Sequence, residues 1–277
     1  MNDLTLLIFT CEKFSDLWDP HVKLLEENWP NRGMDSYLVT DAPHDTWYDG
    51  VTVLTAGPDA SFTARVRCAC ETVRTKYVFV TLDDYFLLRP VDSGRIRQLV
   101  SIMEEERLDY LRLYDRPKRA SAAPLASDPT LRHIVNDTRY SVNLYAGIWR
   151  REFLLRTAVG ERNPWSYEAS LSRAATALKA NCAVDEARDF VTLDVVRKGK
   201  ILNRANRYLK KHDLYHGDRP VQSRWYEFAL AVRTFGVRYM PRPAVELARR
   251  FMMKRGRHYY SQEQFEYPIP EQTESKE

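Results

Sequence analysis

The feature that most constrains the fold is a short apolar run that ends in two adjacent acidic residues. Residues 77–82 read Tyr-Val-Phe-Val-Thr-Leu, and Asp83 and Asp84 follow at once. A run of this length, rich in β-branched and aromatic residues, is typical of a strand buried on both faces of a parallel sheet. It therefore predicts a central strand of an α/β domain, with two carboxylates at its carboxyl end.

Two adjacent carboxylates at the end of a buried strand indicate a cation site. Like charges this close raise each other's pKa, and a divalent cation relieves their repulsion. Mg²⁺ and Mn²⁺ prefer hard oxygen ligands, commonly one or two carboxylates together with substrate phosphates. Ligands of open α/β sheets bind beyond the carboxyl ends of the strands. Asp83 and Asp84 therefore predict a metal and diphosphate site, and the alternative is that one of them caps the following turn.

The first 55 residues predict a β-α-β unit with a further strand. Leu4 to Phe9, Ser36 to Thr40 and Val51 to Leu54 have the character of strands. Leu17 to Trp29 carries apolar residues at helical spacing, and we expect the three strands to point the same way.

The middle of the chain predicts further helices and strands around the acidic pair. Helices are expected at 62–75, 93–106, from 150 and from the turn at 163–168 towards 178. Strands are expected at 110–114, 140–149, 189–197 and 201–203. Residues 115–137 contain three prolines and are expected to be irregular. Gly147 lies within a predicted strand, where it would let a ligand or another backbone approach closely.

The predicted fold class is α/β, with a mixed, mostly parallel sheet flanked by helices and a C-terminal helical extension. We expect a domain at 1–218, a basic helical extension at 219–267 and a disordered tail at 268–277. The extension has a basic stretch from Arg242 to Arg257 among apolar residues. Such a stretch can lie on an anionic membrane surface, or it can be a helix packed on the domain with a basic outer face.

Composition and motifs exclude several classes of protein. The net charge of +4 is too small to indicate a nucleic-acid partner. Cys11, Cys68, Cys70 and Cys182 have no zinc-site spacing, so we expect reduced thiols of a cytosolic protein. The glycine-rich motifs of Rossmann dehydrogenases and P-loop enzymes do not occur, and neither does G-x-S-x-G. The first ten residues predict a strand and not a signal peptide, and no apolar window approaches the ~20 residues of a membrane span.

Three features together resemble the glycosyltransferases with the GT-A, Rossmann-like fold, particularly bacterial enzymes that build surface polysaccharides. They are the acidic pair, the segment from Tyr145 to Arg151, and Glu168 at the start of a helix. The resemblance covers about residues 1–205. It implies that an acidic motif holds Mn²⁺ or Mg²⁺ on the diphosphate of a nucleotide sugar. In this chain the two acidic residues are adjacent, whereas the family usually separates them by one residue.

The resemblance assigns roles to individual residues. It implies that Asp83 and Asp84 bind the metal and that Glu168 is the catalytic base of an inverting reaction. It implies that Thr10 and Asp41 contact the nucleoside and that Arg65 lies near the diphosphate. Aromatic rings that could stack on sugars in such a site are those of Trp149, Trp165 and Tyr167.

The expected function is therefore metal-dependent transfer of a sugar from a nucleotide diphosphate sugar, with a UDP-sugar favoured, to a glycan. The resemblance and the basic stretch favour a lipid-linked acceptor at the cytoplasmic face of the cell membrane. A nucleotidyltransferase would use similar carboxylates, but the loop from Thr10 to Lys13 contains no glycine. A non-catalytic sugar-binding subunit is the other alternative. His212 and His216 could share a metal on a helix, although a polar surface turn ending at Gly217 is favoured.

Overall fold

The structure of the protein is a computed structural model that describes residues 3–114, 121–136 and 138–239, together with residues 247, 250–252 and 254. Part of the predicted helical extension at 219–267 and all of the predicted tail at 268–277 lie outside the described residues. Residues 115–120, which are predicted to be irregular, also lie outside the described residues. The same is true of most of the basic stretch from Arg242 to Arg257.

A nine-stranded mixed sheet forms the centre of the described part of the chain. Its spatial order is β3 (Thr52–Thr55), β2 (Ser36–Thr40), β1 (Leu4–Phe9), β4 (Tyr77–Leu82), β9 (Gly147–Arg150), β6 (Tyr110–Arg112), β10 (Cys182–Asp185), β8 (Leu131–Ile134) and β7 (Ser121–Pro124). Seven of these strands share one direction, whereas β9 and β8 run the opposite way. The predicted mixed, mostly parallel sheet is confirmed, and so is the shared direction of the first three strands.

Helices cover both faces of this sheet. They are a 3₁₀ helix at Glu12–Leu17, α1 (Trp18–Asn28), α2 (Phe62–Thr72), α3 (Ser93–Glu105), α4 (Arg151–Thr157), α5 (Pro164–Ala177), α6 (Asn203–Lys211) and α7 (Arg224–Tyr239). Side chains of β1 alternate between the two faces, as the period of two in a strand requires. Leu6 and Ile8 lie in a core with α1 and α3, whereas Leu7 and Phe9 lie in a core with α2, α4 and α5.

Two small sheets lie beyond the carboxyl end of β4. The strand β5 (Tyr85–Leu87) pairs antiparallel with β11 (Thr192–Asp194), and β12 (Val196–Arg197) pairs with β13 (Lys200–Ile201). Their apolar side chains form a third core with α1 and α6. This pairing sets Asp194 opposite Tyr85, and so places a residue late in the chain beside the acidic pair.

The structure differs from the sequence-based expectation in four segments. Residues 121–134 contain β7 and β8, although their prolines predict an irregular segment. The predicted strand at 140–149 is shorter, because regular pairing begins only at Gly147. Residues 189–197 are split between β11 and β12, and α6 was not predicted. Residues 141–144 are all buried, so they do not show the alternating burial of an ordinary strand.

Gly147 is required by the backbone of the neighbouring strand. A Cβ at this position would lie 2.9 Å from the carbonyl oxygen of Leu111 and 3.0 Å from Cε2 of Tyr110. The close approach that the sequence predicts is therefore made by β6.

Two further expectations concern the cysteines and membrane-spanning helices. Cys11, Cys68, Cys70 and Cys182 are all free thiols, as predicted. None of the helices in the described ranges is long and apolar enough to cross a membrane.

Candidate active site

The candidate site lies at the edge of the sheet where β1, β2 and β4 end. Along this edge Asp41 follows β2, Thr10 follows β1, and Asp83 and Asp84 follow β4. Because β9 is antiparallel to β4, its amino end lies at the same edge and brings Tyr145 there. The order of strands thus places Thr10 and Asp41 on one flank of the acidic pair and Tyr145 on the other.

Asp83 is the buried member of the acidic pair and is held by the end of β1. Its Oδ2 accepts a hydrogen bond from the Thr10 hydroxyl, which itself accepts one from Nε1 of Trp18 at 2.7 Å. Nδ1 of His21 lies 3.2 Å from the Asp83 carbonyl oxygen. Burial raises the pKa of Asp83 to about 7, against the opposing effects of Thr10 and Arg65. The Thr10 hydroxyl is therefore engaged on both sides, and it positions Asp83.

Asp84 has a carboxylate oxygen that is available to a ligand. Its Oδ1 is buried and has no hydrogen-bond partner among the described residues. Its carbonyl oxygen accepts a hydrogen bond from the Val195 amide at 2.9 Å, which fixes the backbone. Burial, followed by the charges of Asp83 and Asp194, raises the pKa of Asp84 well above its ordinary value. A buried acceptor with no donor is costly, so this oxygen fits a cation ligand.

Asp194 and Arg197 are functional candidates that the sequence did not identify. Asp194 Oδ2 accepts hydrogen bonds from Arg197 Nε at 2.9 Å and Nη2 at 2.6 Å. Burial raises the pKa of Asp194 although Arg197 opposes this, and the charge of Asp194 holds the pKa of Arg197 high despite burial. The pair adds a third carboxylate and a compensating cation to the site.

Arg65 and Asp41 organise the loop after β1. Arg65 Nη1 donates to the Thr10 carbonyl oxygen at 2.6 Å and lies 3.4 Å from Asp41 Oδ2. Asp41 Oδ1 accepts a hydrogen bond from the Glu12 amide at 2.8 Å. Arg65 is buried, and within the described ranges its Nε has no hydrogen-bond partner. The structure thus brings the three predicted nucleoside and diphosphate residues into one network with Asp83.

Glu168 faces the acidic pair from the opposite flank. Its helix α5 begins at the cap residue Asn163, whose side chain accepts a hydrogen bond from the Ser166 amide at 2.9 Å. Glu168 Oε1 accepts one from the Leu144 amide at 3.2 Å. Burial raises the pKa of Glu168, and the Leu144 amide and Arg197 oppose the rise. Burial raises the pKa of Tyr85, and the charges of Tyr145, Asp84 and Glu168 add to the rise.

Three half-buried tyrosines, here called the tyrosine cluster, line this flank: Tyr85, Tyr114 and Tyr145. The ring centroids of Tyr114 and Tyr145 are 4.3 Å apart and the rings are stacked, while those of Tyr85 and Tyr145 are 5.3 Å apart. Burial, followed by Tyr114, raises the pKa of Tyr145 to about 12, so its phenol stays protonated at neutral pH. The sequence did not identify the cluster, because its members come from three segments that are far apart in the chain.

The predicted aromatic contacts have different environments. Trp149 and Tyr167 are fully buried in the core, where Trp149 lies 4.2 Å from the Tyr110 ring and the Tyr167 hydroxyl lies 2.6 Å from the Thr157 hydroxyl. A fully buried ring has no face for a sugar, and both rings belong to the core that α2, α4 and α5 form with the sheet. Trp165 is 59 % exposed in the first turn of α5.

Protein ligands alone do not form a complete metal cage in the described parts of the chain, where no group of three or more His, Cys, Asp and Glu side chains is arranged to hold an ion. His212 ends α6 and His216 lies beyond it, so the two do not share a helix face. The favoured prediction of a polar turn fits this arrangement. An acidic pair, with the Arg65 and Asp41 network on one flank and Glu168 and the tyrosine cluster on the other, can support metal-assisted group transfer.

Comparison with known proteins gives similarity of fold. No protein-family model matches the chain, and no curated protein matches it. The structure of TarS 1-349 from S. aureus in complex with UDP-GlcNAc is 10 % identical, with a TM-score of 0.49, and the match covers 72 % of this chain and 60 % of that one. TarS 1-349 alone is 11 % identical, with a TM-score of 0.48. That match covers 68 % of this chain and 59 % of that one.

A second protein with a similar structure is the mannosyltransferase PcManGT from Pyrobaculum calidifontis, in complex with GDP-Man and Mn²⁺. It is 13 % identical, with a TM-score of 0.46, and the match covers 94 % of this chain and 82 % of that one. The chain spans about 59 % of the length of TarS 1-349.

Proposed function

We propose that the protein is a glycosyltransferase that uses a nucleotide diphosphate sugar and a divalent cation. The observation that carries the proposal is the buried Oδ1 of Asp84, which has no hydrogen-bond partner in the described part of the chain and lies among carboxylates at a strand end. Such an oxygen is stable when a cation neutralises it. The other parts of the site supply what the transfer needs.

The donor would lie on the β1 and β2 side of the acidic pair. Asp84 is the principal residue to hold Mn²⁺ or Mg²⁺, with Asp83 beside it and donor diphosphate oxygens completing the ligand set. When bound, the ion would stabilise the negative charge of the leaving diphosphate. Arg65 would face the diphosphate, and Asp41 and the Thr10 backbone would face the nucleoside, because these groups form one network at this flank.

Glu168 would be the base that activates the acceptor. It would take the proton of an acceptor hydroxyl, whose oxygen forms a bond to the anomeric carbon while the bond from that carbon to the diphosphate oxygen breaks. Burial raises the pKa of Glu168, which brings a carboxylate nearer to the range in which a general base works at neutral pH. One direct displacement of this kind inverts the anomeric configuration.

The acceptor would be a glycan, held on the Glu168 flank. The tyrosine cluster lies there with rings that are half-buried, and the Asp194–Arg197 pair offers charged partners for sugar hydroxyls. Aromatic rings with a polar tip suit a ligand that has one apolar face and several hydroxyls. Trp165 is the exposed aromatic residue nearest to Glu168 along α5. A lipid-linked glycan is the acceptor class that the family resemblance implies.

Release of nucleoside diphosphate from a panel of UDP-, GDP-, TDP- and CDP-sugars with Mn²⁺ tests the proposal. We expect release from one nucleotide class, and faster release when mixed glycans are added. Glu168→Gln should lower the rate by about 10²–10⁴-fold while donor binding is retained. Glu152→Gln, which changes an exposed glutamate on α4, is the matched control.

The assay also separates the proposal from its alternatives. Nucleotide-sugar binding without any release, unaltered by Glu168→Gln, would indicate a non-catalytic binding subunit. Pyrophosphate formation from a nucleoside triphosphate and a sugar phosphate would indicate a nucleotidyltransferase.

A further inference from the structure

An aromatic and aliphatic stripe runs along one side of α7. Trp225, Phe228, Val232 and Phe235 follow one another at helical spacing and are 76 %, 59 %, 55 % and 65 % exposed. These four residues are called the α7 stripe below. Contiguous apolar residues of this size on a surface mark a site of association with another molecule or with a membrane.

The opposite side of α7 holds the helix to the body of the protein. The Glu227 carboxylate accepts a hydrogen bond from the Asn203 amide at the start of α6. The Lys198 ammonium lies 5.5 Å from the centre of the Tyr226 ring. Leu230 is half-buried on the same side. Because these contacts use the body-facing side, they present the α7 stripe outwards.

The sequence around the α7 stripe has a strong positive charge. Residues 224–257 contain nine Lys and Arg residues and two Glu residues, a net charge of +7. The whole chain is only +4, so the other residues together are net negative. Positive charge is thus concentrated in the segment that carries the exposed aromatic residues. This combination favours an anionic lipid surface, where rings enter the interface and basic residues meet headgroups.

We propose that α7 docks the protein on an anionic lipid bilayer, with the α7 stripe inserted at the headgroup boundary. The proposal stands independently of the reaction, because it rests on the surface of α7 and on the charge of 224–257. The helix starts beside the β12–β13 hairpin, which also carries Arg197 into the candidate active site.

Vesicle co-flotation of the full chain tests this proposal. One vesicle set contains phosphatidylcholine alone, and the other contains equal parts of phosphatidylcholine and phosphatidylglycerol. We expect binding to the anionic vesicles only, weakened at high salt because screening shortens the reach of the basic residues. The double variant Trp225→Ser, Phe228→Ser should lose roughly tenfold or more in binding, since two large apolar groups no longer enter the interface.

The matched control is Trp47→Ser, which removes an 80 % exposed tryptophan far from α7 in the sequence. This variant should bind vesicles as the unaltered chain does. All three proteins should bind nucleotide equally, so a failure of membrane binding is separate from a failure of the proposed reaction.

Three results would overturn the proposal. The first is equal binding of the unaltered chain and the α7 double variant to anionic vesicles, and the second is no binding by either. The third is a dimer that light scattering detects without lipid and that the double variant abolishes. The α7 stripe would then be a contact between two copies.

Discussion

Asp84 carries a charge that the fold accommodates poorly. Its Oδ1 is buried without a hydrogen-bond donor in the described part of the chain, and Asp83 and Asp194 are close enough to raise its pKa. A carboxyl whose folded pKa is raised stabilises the protein fully only below its unfolded pKa. That stability is lost as pH rises through the folded pKa. The ionised form at neutral pH is therefore a cost that a bound cation would remove.

The variant Asp84→Asn tests this cost directly. We expect it to be more stable than the unaltered chain at pH 8 by about 1–3 kcal/mol, because the neutral amide removes a charge that is buried beside Asp83 and Asp194. The gain should shrink as pH falls towards about 4, where the carboxyl becomes protonated in both states. Urea unfolding at pH 4, 6 and 8 without metal measures the difference.

The control for this variant is Asp49→Asn, which alters an exposed aspartate and should show no such pH dependence. A loss of stability in Asp84→Asn at pH 8 would mean that the carboxylate makes a favourable contact, contrary to the account.

Tyr145 should contribute to acceptor binding through its ring. Removing the ring in Tyr145→Ala should raise the acceptor KM up to about tenfold, because an aromatic contact is worth about 0.5–1.5 kcal/mol. Tyr145→Phe keeps the ring and should retain most of the affinity. Initial rates at varied acceptor concentration, with calorimetry for the donor nucleotide, distinguish the two effects. A changed nucleotide affinity would assign the tyrosine cluster to the donor instead.

At the scale of elements, β9 shows how a single strand shapes the site. It enters the sheet antiparallel between β4 and β6, and its amino end delivers Tyr145 to the edge that carries Asp84. Gly147 allows this insertion because its α-carbon lies against the backbone of Leu111. The close packing of Gly147 against β6 therefore also fixes the position of Tyr145 in the candidate site.

Gly147→Ala should therefore disturb the sheet. The added Cβ would lie 2.9 Å from a backbone oxygen, which cannot move as a flexible side chain can. We expect a loss of about 1–3 kcal/mol in the free energy of unfolding, the usual cost of overpacking. Thermal or urea unfolding measures it, and an unchanged midpoint would show that β6 and β9 can separate without cost.

Elements with continuous apolar character could be predicted from the sequence, and elements defined by distant pairing could not. The strands β1, β2 and β4 and the helices α1, α2 and α3 follow from local patterns of apolar residues. The predicted polar residues Thr10, Asp41 and Asp83 come together because parallel strands end at one edge, and Arg65 reaches them from α2. Asp194 was not predicted, because only the pairing of β5 with β11, more than one hundred residues apart, brings it to Asp84.

At the scale of the whole molecule, the cores on the two sheet faces and a third core support the two flanks of the acidic pair. The flank at β1 and β2 carries the Arg65 and Asp41 network, and the flank at β6 and β9 carries Glu168 and the tyrosine cluster. The acidic pair lies between them at the end of β4. This layout agrees with the proposed transfer between two substrates. Helix α7 begins beside the β12–β13 hairpin.

The central claim is that a nucleotide diphosphate binds at Asp84 through a divalent cation. Isothermal calorimetry with UDP, GDP, TDP and CDP, each with and without Mn²⁺, tests it on the unaltered chain, Asp84→Asn and Asp49→Asn. We predict that one nucleotide binds only with Mn²⁺, that Asp84→Asn abolishes this binding, and that Asp49→Asn retains it. Binding that is independent of Mn²⁺ or unaffected in Asp84→Asn, or no binding of any nucleotide, would contradict the account.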